Sequence, residues 1–294
     1  APPQAAAVPA APAETRILKI IHGWPDDPGQ QDALRARLQQ QGFGGVVCNV
    51  SFQGYLEDES RWQAFQRAVR TARAEGMTLW LYDERGYPSG NAGGQVLSGH
   101  PEWEARGMLV ADIEAAGGPC TLRLPPGRRI LCAAYPVSEG RLILDRRIDL
   151  SDAVQGDTVS WQAPEGRWRL LAVSEHRLYE GTHADQNLWE KLPYVNLLEA
   201  GPTARFLELT HAAYARRLGR DLGRFFQATF TDEPSLMSMY FQRQPFRPLP
   251  WSPQLPEAFR RRRGYDLEPI LPALVADTGP ETARCRHDFW MTVG

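Results

Sequence analysis

Met77-Thr-Leu-Trp-Leu-Tyr-Asp-Glu-Arg-Gly-Tyr-Pro-Ser-Gly-Asn-Ala-Gly-Gly94 is an apolar run that ends in two carboxylates and a glycine-rich loop. Its first six residues read as a buried strand, because a short, continuous apolar segment bounded by turn residues suits a sheet covered on both faces. The same unit occurs twice upstream. Arg16-Ile-Leu-Lys-Ile-Ile-His22 runs into Gly23-Trp24-Pro25, and Gly45-Val-Val-Cys-Asn-Val-Ser51 follows it. Between these two, Asp27 and Pro28 open a helix with Leu34 and Leu38 inward, stopped at Gly42 or Gly44. A second helix is predicted from about Ser60 to Glu75, with Trp62, Phe65, Val69 and Ala72 along one face. Strand, helix, strand, helix, strand with short links implies parallel pairing and right-handed crossovers.

From about Glu104 to Tyr179 the period falls to two, as in Thr121-Leu-Arg-Leu124, Arg141-Leu-Ile-Leu144 and Arg167-Trp-Arg-Leu-Leu-Ala-Val173. This predicts an inserted antiparallel β-sandwich over 105–180. A helix from about Thr203 to Leu218 resumes the first pattern, and Arg224-Phe-Phe-Gln-Ala-Thr-Phe230 supplies a fourth parallel strand ending at Thr231-Asp-Glu-Pro234. A Pro-rich loop, an Arg-rich helix and a helix starting at Glu281 follow. The expected class is α/β: a (β/α)8 (TIM)-type barrel, incomplete in this chain because four barrel strands fall short of the set that closure takes; the alternatives are further strands after Ser235 or an open sheet. Its first part covers 15–104 and its continuation 181–294, after a disordered Ala/Pro-rich tail at 1–14.

With 294 residues, 43% of them hydrophobic, the chain has enough apolar mass for a full core. Its 33 basic and 35 acidic side chains leave a formal charge of -2, which removes the footprint of a nucleic-acid binder. No apolar window is long enough to span a bilayer. The Ala/Pro tail is of the kind that follows a cleaved export signal, so the expected location is secreted or periplasmic. Cys48 sits in an apolar run and reads as a small buried hydrophobe. Cys120 and Cys132 flank Pro125-Pro126-Gly127 symmetrically, and they are read either as a cross-strand disulfide or as two thiols. No C-x-x-C pair occurs, and His183, His211 and His287 lack metal-site spacing, so no metal and no cofactor are expected.

Ligands of parallel α/β sheets meet the carboxyl ends of the strands. Asp83, Glu84 and Tyr87 arrive there after the third strand, and Asp232 and Glu233 after the fourth. The competing reading of each motif is structural: Asp83 capping a Gly-rich loop, or Asp-Glu capping the next helix. Strand alternation sends Asp232 and Glu233 to opposite sides, and the chemistry is assigned to Glu233, with partial burial expected to raise its pKa for general-acid work. His22, Trp24, Asn49, Phe52 and Tyr55 follow the first two strands in the same way. Aromatic faces here suit sugar rings, which present apolar C–H faces and polar edges; core packing is the alternative for each. Arg260 to Arg263 reads as a solvated helix face.

Three segments carry a resemblance: Y-D-E-x-G-Y-P-S-G-x-A-G-G at 82–94, F-T-D-E-P at 230–234 and G-Y-D-L at 264–267. Together they resemble the large bacterial glycoside hydrolases of the α-L-rhamnosidase-like group, which are similar to the (β/α)8-barrel retaining glycosidases. The resemblance implies an O-glycosyl hydrolase acting on plant or bacterial poly- or oligosaccharide, with Glu233 as acid/base. His22, Trp24, Asn49, Tyr55, Asp83, Glu84, Tyr87 and Asp232 are the expected substrate contacts. That superfamily usually has Asn before the acid/base Glu, where this chain has Asp232. The resemblance also implies a nucleophilic carboxylate on a later strand, for which no position before Gly294 matches; Glu84 is the substitute within the chain. Retaining chemistry needs the two carboxyl groups roughly 5 Å apart. The competing function is a non-catalytic carbohydrate-binding or scaffold protein. A metal-dependent amidohydrolase is disfavoured because no H-x-H follows the first strand.

Overall fold

The computed structural model of the chain describes residues 11–49, 56–186, 190–234, 236 and 245–294. Phe52 and Tyr55 lie outside the described residues. The chain divides into two compact units, one built from 1–100, 187–192 and 201–234, the other from 101–186, 193–200 and 235–294.

The first unit is the predicted parallel sheet. Strands β1 (Leu18–Ile21), β2 (Gly45–Asn49), β3 (Thr78–Tyr82) and β12 (Ala228–Phe230) lie in that order, every pair parallel. Helix α1 (Pro28–Gln40) starts where the sequence says, with the Asp27 carboxylate accepting from Gln30 N at 2.8 Å. Helix α2 (Glu59–Ala74) is capped likewise by Asp58 and buries Trp62, Phe65, Ala68, Val69 and Ala72. Gly45 is required where β2 meets β3, because a Cβ there would sit 1.8 Å from the Thr78 carbonyl oxygen. After a short helix α3 (His183–Gln186), the helix predicted from Thr203 to Leu218 is two helices, α4 (Ala200–Leu209) and α5 (His211–Leu218), broken at Thr210, whose hydroxyl bonds back to the Phe206 carbonyl at 2.6 Å. A further turn of helix, α6 (Leu222–Phe225), leads into β12.

The barrel expectation is overturned. Among the described residues, parallel pairing stops at these four strands. The next described strand, β13 (Arg247–Trp251), pairs antiparallel with β4 (Arg106–Ala115) in the other unit's sheet. A βαβ rhythm is common to open and closed parallel sheets, whereas closure depends on strand number and stagger, which apolar runs do not encode.

The second unit is antiparallel and layered. Beyond β4 come β5 (Gly118–Arg123), β6 (Arg128–Ser138), β7 (Arg141–Leu142), β8 (Ile148–Asp149), β9 (Val154–Gln155), β10 (Thr158–Ala163) and β11 (Trp168–Arg177). The large sheet runs β13-β4-β11-β6-β7 with β8 beside β6, and the small one β5-β10-β9. Period-two alternation on the large sheet fills two cores. Ala111, Cys132, Ala134, Leu170 and Ala172 meet Leu122 and Val159 of the small sheet. Met108, Val110, Ala133, Tyr135, Leu171 and Val173 meet helices α7 (Leu255–Arg263) and α8 (Thr282–Val293) through Leu255, Phe259 and Phe289. The insertion is thus a sandwich whose second face is covered by the C-terminal helices. Cys120 lies opposite Trp161 and Cys132 opposite Ala172, since β5 and β6 each choose other partners; both are free thiols, as are Cys48 and Cys285. No described helix is long and apolar enough to cross a membrane.

Candidate functional site

The two strand-end motifs meet because β3 and β12 are neighbours in register, Phe230 beside Tyr82. Past the last pair the contact continues through Asp83 N, which donates to the Phe230 carbonyl at 3.1 Å. Ser89 then stitches the loops together. Its backbone N–H donates to the Asp232 carbonyl at 2.8 Å, and its Oγ accepts from Asp232 N at 2.9 Å while donating to Asp83 Oδ1 at 2.7 Å. Two phenols complete the seam. Tyr82 donates to the Asp232 carboxylate, and Tyr87 donates to Glu233 Oε2 at 2.5 Å.

Glu233 has φ +45°, in the left-handed region that non-glycine residues rarely enter. Such a conformation costs of order 1 kcal/mol and persists where surroundings enforce it, most often at functional sites. Here the enforcing contacts are the Ser89 bonds to Asp232 and the Tyr87 bond to Glu233 itself. Asp232 and Glu233 accept from different phenols, and both lie past the end of β12 at Phe230. Glu233 is exposed, in place of the partial burial that sequence reasoning expected.

Asp83 and Glu84 behave otherwise. Both were expected on the substrate, yet each has 0% of its surface exposed, so neither reaches a ligand. Glu84 Oε1 accepts from Gly90 N at 2.5 Å and Asn91 N at 3.2 Å, and Oε2 from Gly93 N at 3.3 Å. Gly90 and Gly93 take φ +134° and +61°, which lets consecutive amides converge on one anion. Burial pushes the Glu84 carboxyl up to about 7, against the pull of these donors and with a push from neighbouring Asp83. Burial likewise raises Asp83, opposed by the Ser89 and Thr231 hydroxyls. The glycine loop folds back over its own acidic residues, and sequence position at a strand end does not reveal that inward turn.

Burial, then the Glu233 hydrogen bond, pushes Tyr87 up to about 12, so it remains a neutral donor at physiological pH. His22 is exposed at the end of β1, its ring 5.8 Å from that of Tyr82 in an edge-on arrangement. Trp24 is half-buried and directs its indole toward the Cys48 thiol, which burial pushes up to about 12. Asn49 ends β2 in register with Tyr82. The site thus gathers His22, Tyr87, Asp232 and Glu233 around the β3–β12 seam, with Asp83 and Glu84 beneath. Ser89 and Thr231 were not singled out from sequence; a serine inside a Gly-rich loop carries no mark of a cross-strand role.

Among the described residues, no group of three or more His, Cys, Asp or Glu is arranged to hold a metal ion. Chemically, the arrangement offers a solvent-facing carboxylate of fixed orientation, hydrogen-bonded by a phenol and flanked by aromatic and polar side chains. No protein-family model and no curated protein sequence matches the chain.

Proposed function

We propose that the β3–β12 seam is the site of a glycoside hydrolase, in which Glu233 delivers a proton to the glycosidic oxygen of a bound saccharide. The observation that carries this reading is the exposed Glu233 carboxylate, held at an unfavourable φ and oriented by Tyr87. A general acid must reach the oxygen it protonates and be aimed at it, and both conditions favour Glu233 over every other acid of the seam. Tyr87 hydrogen-bonds the ionised form that remains after transfer, and His22 offers a sugar its ring face and polar edge, while half-buried Trp24, its indole N–H turned inward, offers a ring face alone. Asp83 and Glu84 do not suit the role of counterpart carboxyl group, because both are fully buried, with Asp83 Oδ1 held by Ser89 and both Glu84 oxygens by loop amides. That removes the Glu84 substitution entertained from sequence.

Replacing Glu233→Gln keeps shape and hydrogen bonding but abolishes proton donation. Turnover of an aryl glycoside should fall by about 10²–10⁴-fold with sugar affinity retained. A variant that hydrolyses as fast as the parent rejects the assignment. The burial of Asp83 and Glu84 favours one second reading, a carbohydrate-binding protein without turnover; calorimetric binding of oligosaccharide by a parent protein that hydrolyses none would establish it.

A further inference from the structure

The antiparallel unit contains a cavity of about 600 Å³, within the range of small-molecule sites. One irregularity builds it. Register between β6 and β11 shifts at Val173/Ser174, so that Leu131 faces Val173, Arg129 faces Ser174, and Ile130 is the extra residue. Leu170 and Ala172 point toward the small sheet, and alternation puts Ser174 and His176 on that same side. Without the extra residue Arg129 would turn to the opposite face. The bulge brings it round to line the cavity with His176.

The floor is rigid. The Pro125-Pro126-Gly127 turn is tied to β11 by Ser174 Oγ donating to the Pro125 carbonyl at 3.1 Å, and Gly127 approaches so closely that a Cβ would lie 2.0 Å from the Glu175 carbonyl oxygen. Leu109 and Phe246 provide an apolar wall. Three cations, Arg123, Arg129 and Arg177, line the cavity with Asp157, Glu180 and His176. Arg123 pairs with Asp157 at 3.6 Å, and Arg177 with Glu104 at 3.2 Å and Glu180 at 3.9 Å. Glu180 also meets His176 at 3.4 Å. Arg129 has no carboxylate partner among the described residues.

We infer that this cavity binds a compact ring compound bearing one carboxylate, which Arg129 receives while the ring lies against Leu109 and Phe246. A guanidinium matches a carboxylate in a two-point hydrogen-bonded geometry, and a preformed floor lowers the ordering cost of binding. This inference is independent of the glycosidase reading. Calorimetric titration of the full chain with benzoate and, separately, glucuronate tests it and distinguishes an apolar ring from a hydroxylated one. Saturable binding of either is expected. It should weaken about tenfold or more in Arg129→Gln, which loses the charged partner, and also in Phe246→Ala. Because Arg129 is exposed, R129Q should keep the parent's thermal midpoint, and excess inorganic phosphate, lacking a ring, should leave binding in place. Absence of binding by both carboxylates, undiminished binding by R129Q, or displacement by phosphate at equal concentration overturns the inference.

Discussion

Glu84 is the residue whose environment departs furthest from what its place in the sequence suggests. Its carboxyl keeps its proton to about pH 7 in the folded chain, against 4.5 as its ordinary value. The folded state therefore binds more protons than the unfolded one between these limits. Stability must fall as pH rises through that window and level off above it. Glu84→Gln mimics the protonated form and should remove this slope; urea midpoints measured at about pH 4.5 and 7.5 should differ less in the variant than in the parent. An equal difference in both proteins would mean that Glu84 does not carry the dependence. Glu233, Asp232 and Tyr87 were legible as strand-end groups because the apolar runs before them end so sharply. The inward turn of Asp83 and Glu84 was not, since it depends on amides of Gly90 and Gly93 whose conformation emerges only when the loop closes.

At the level of elements, the first three parallel strands and both connecting helices follow from the sequence because caps and periodicity agree there: Asp27 with Pro28, Asp58, and the Trp62-to-Ala72 face. In the sequence, β13 reads as a Pro-rich loop, since Pro248 and Pro250 argue against a sheet interior. It is an edge strand, where a missing N–H leaves no ladder bond unmade, and so it accommodates both prolines. The tightest joint is Gly45 against Thr78. Gly45→Ala should force β2 and β3 apart and cost about 1–3 kcal/mol or more, as crowding in a filled core does. Chemical denaturation measures this directly; a loss below about half a kcal/mol would show that the strands separate freely.

For the molecule as a whole, chain order and spatial order disagree. Each unit is interrupted by the other, and the large antiparallel sheet receives β13 and its covering helices from residues made after β12. That wide separation, invisible to local periodicity, is why four parallel strands suggest a barrel and why β13 and the C-terminal helices read as its continuation although they belong to the layered unit. A chain ending at Pro234 would lose Leu255, Phe259 and Phe289 and present Met108, Tyr135 and Leu171 to water. It should bind a hydrophobic dye strongly or accumulate as insoluble protein, and a soluble, dye-silent fragment would contradict this. During translation the same arrangement imposes a delay. Once β11 has left the ribosome, roughly ten seconds of elongation pass before the sequence around Phe289 emerges to roof it. The nascent sheet must spend that interval with one greasy side bare, which makes it a natural client for a chaperone that recognises exposed apolar strands.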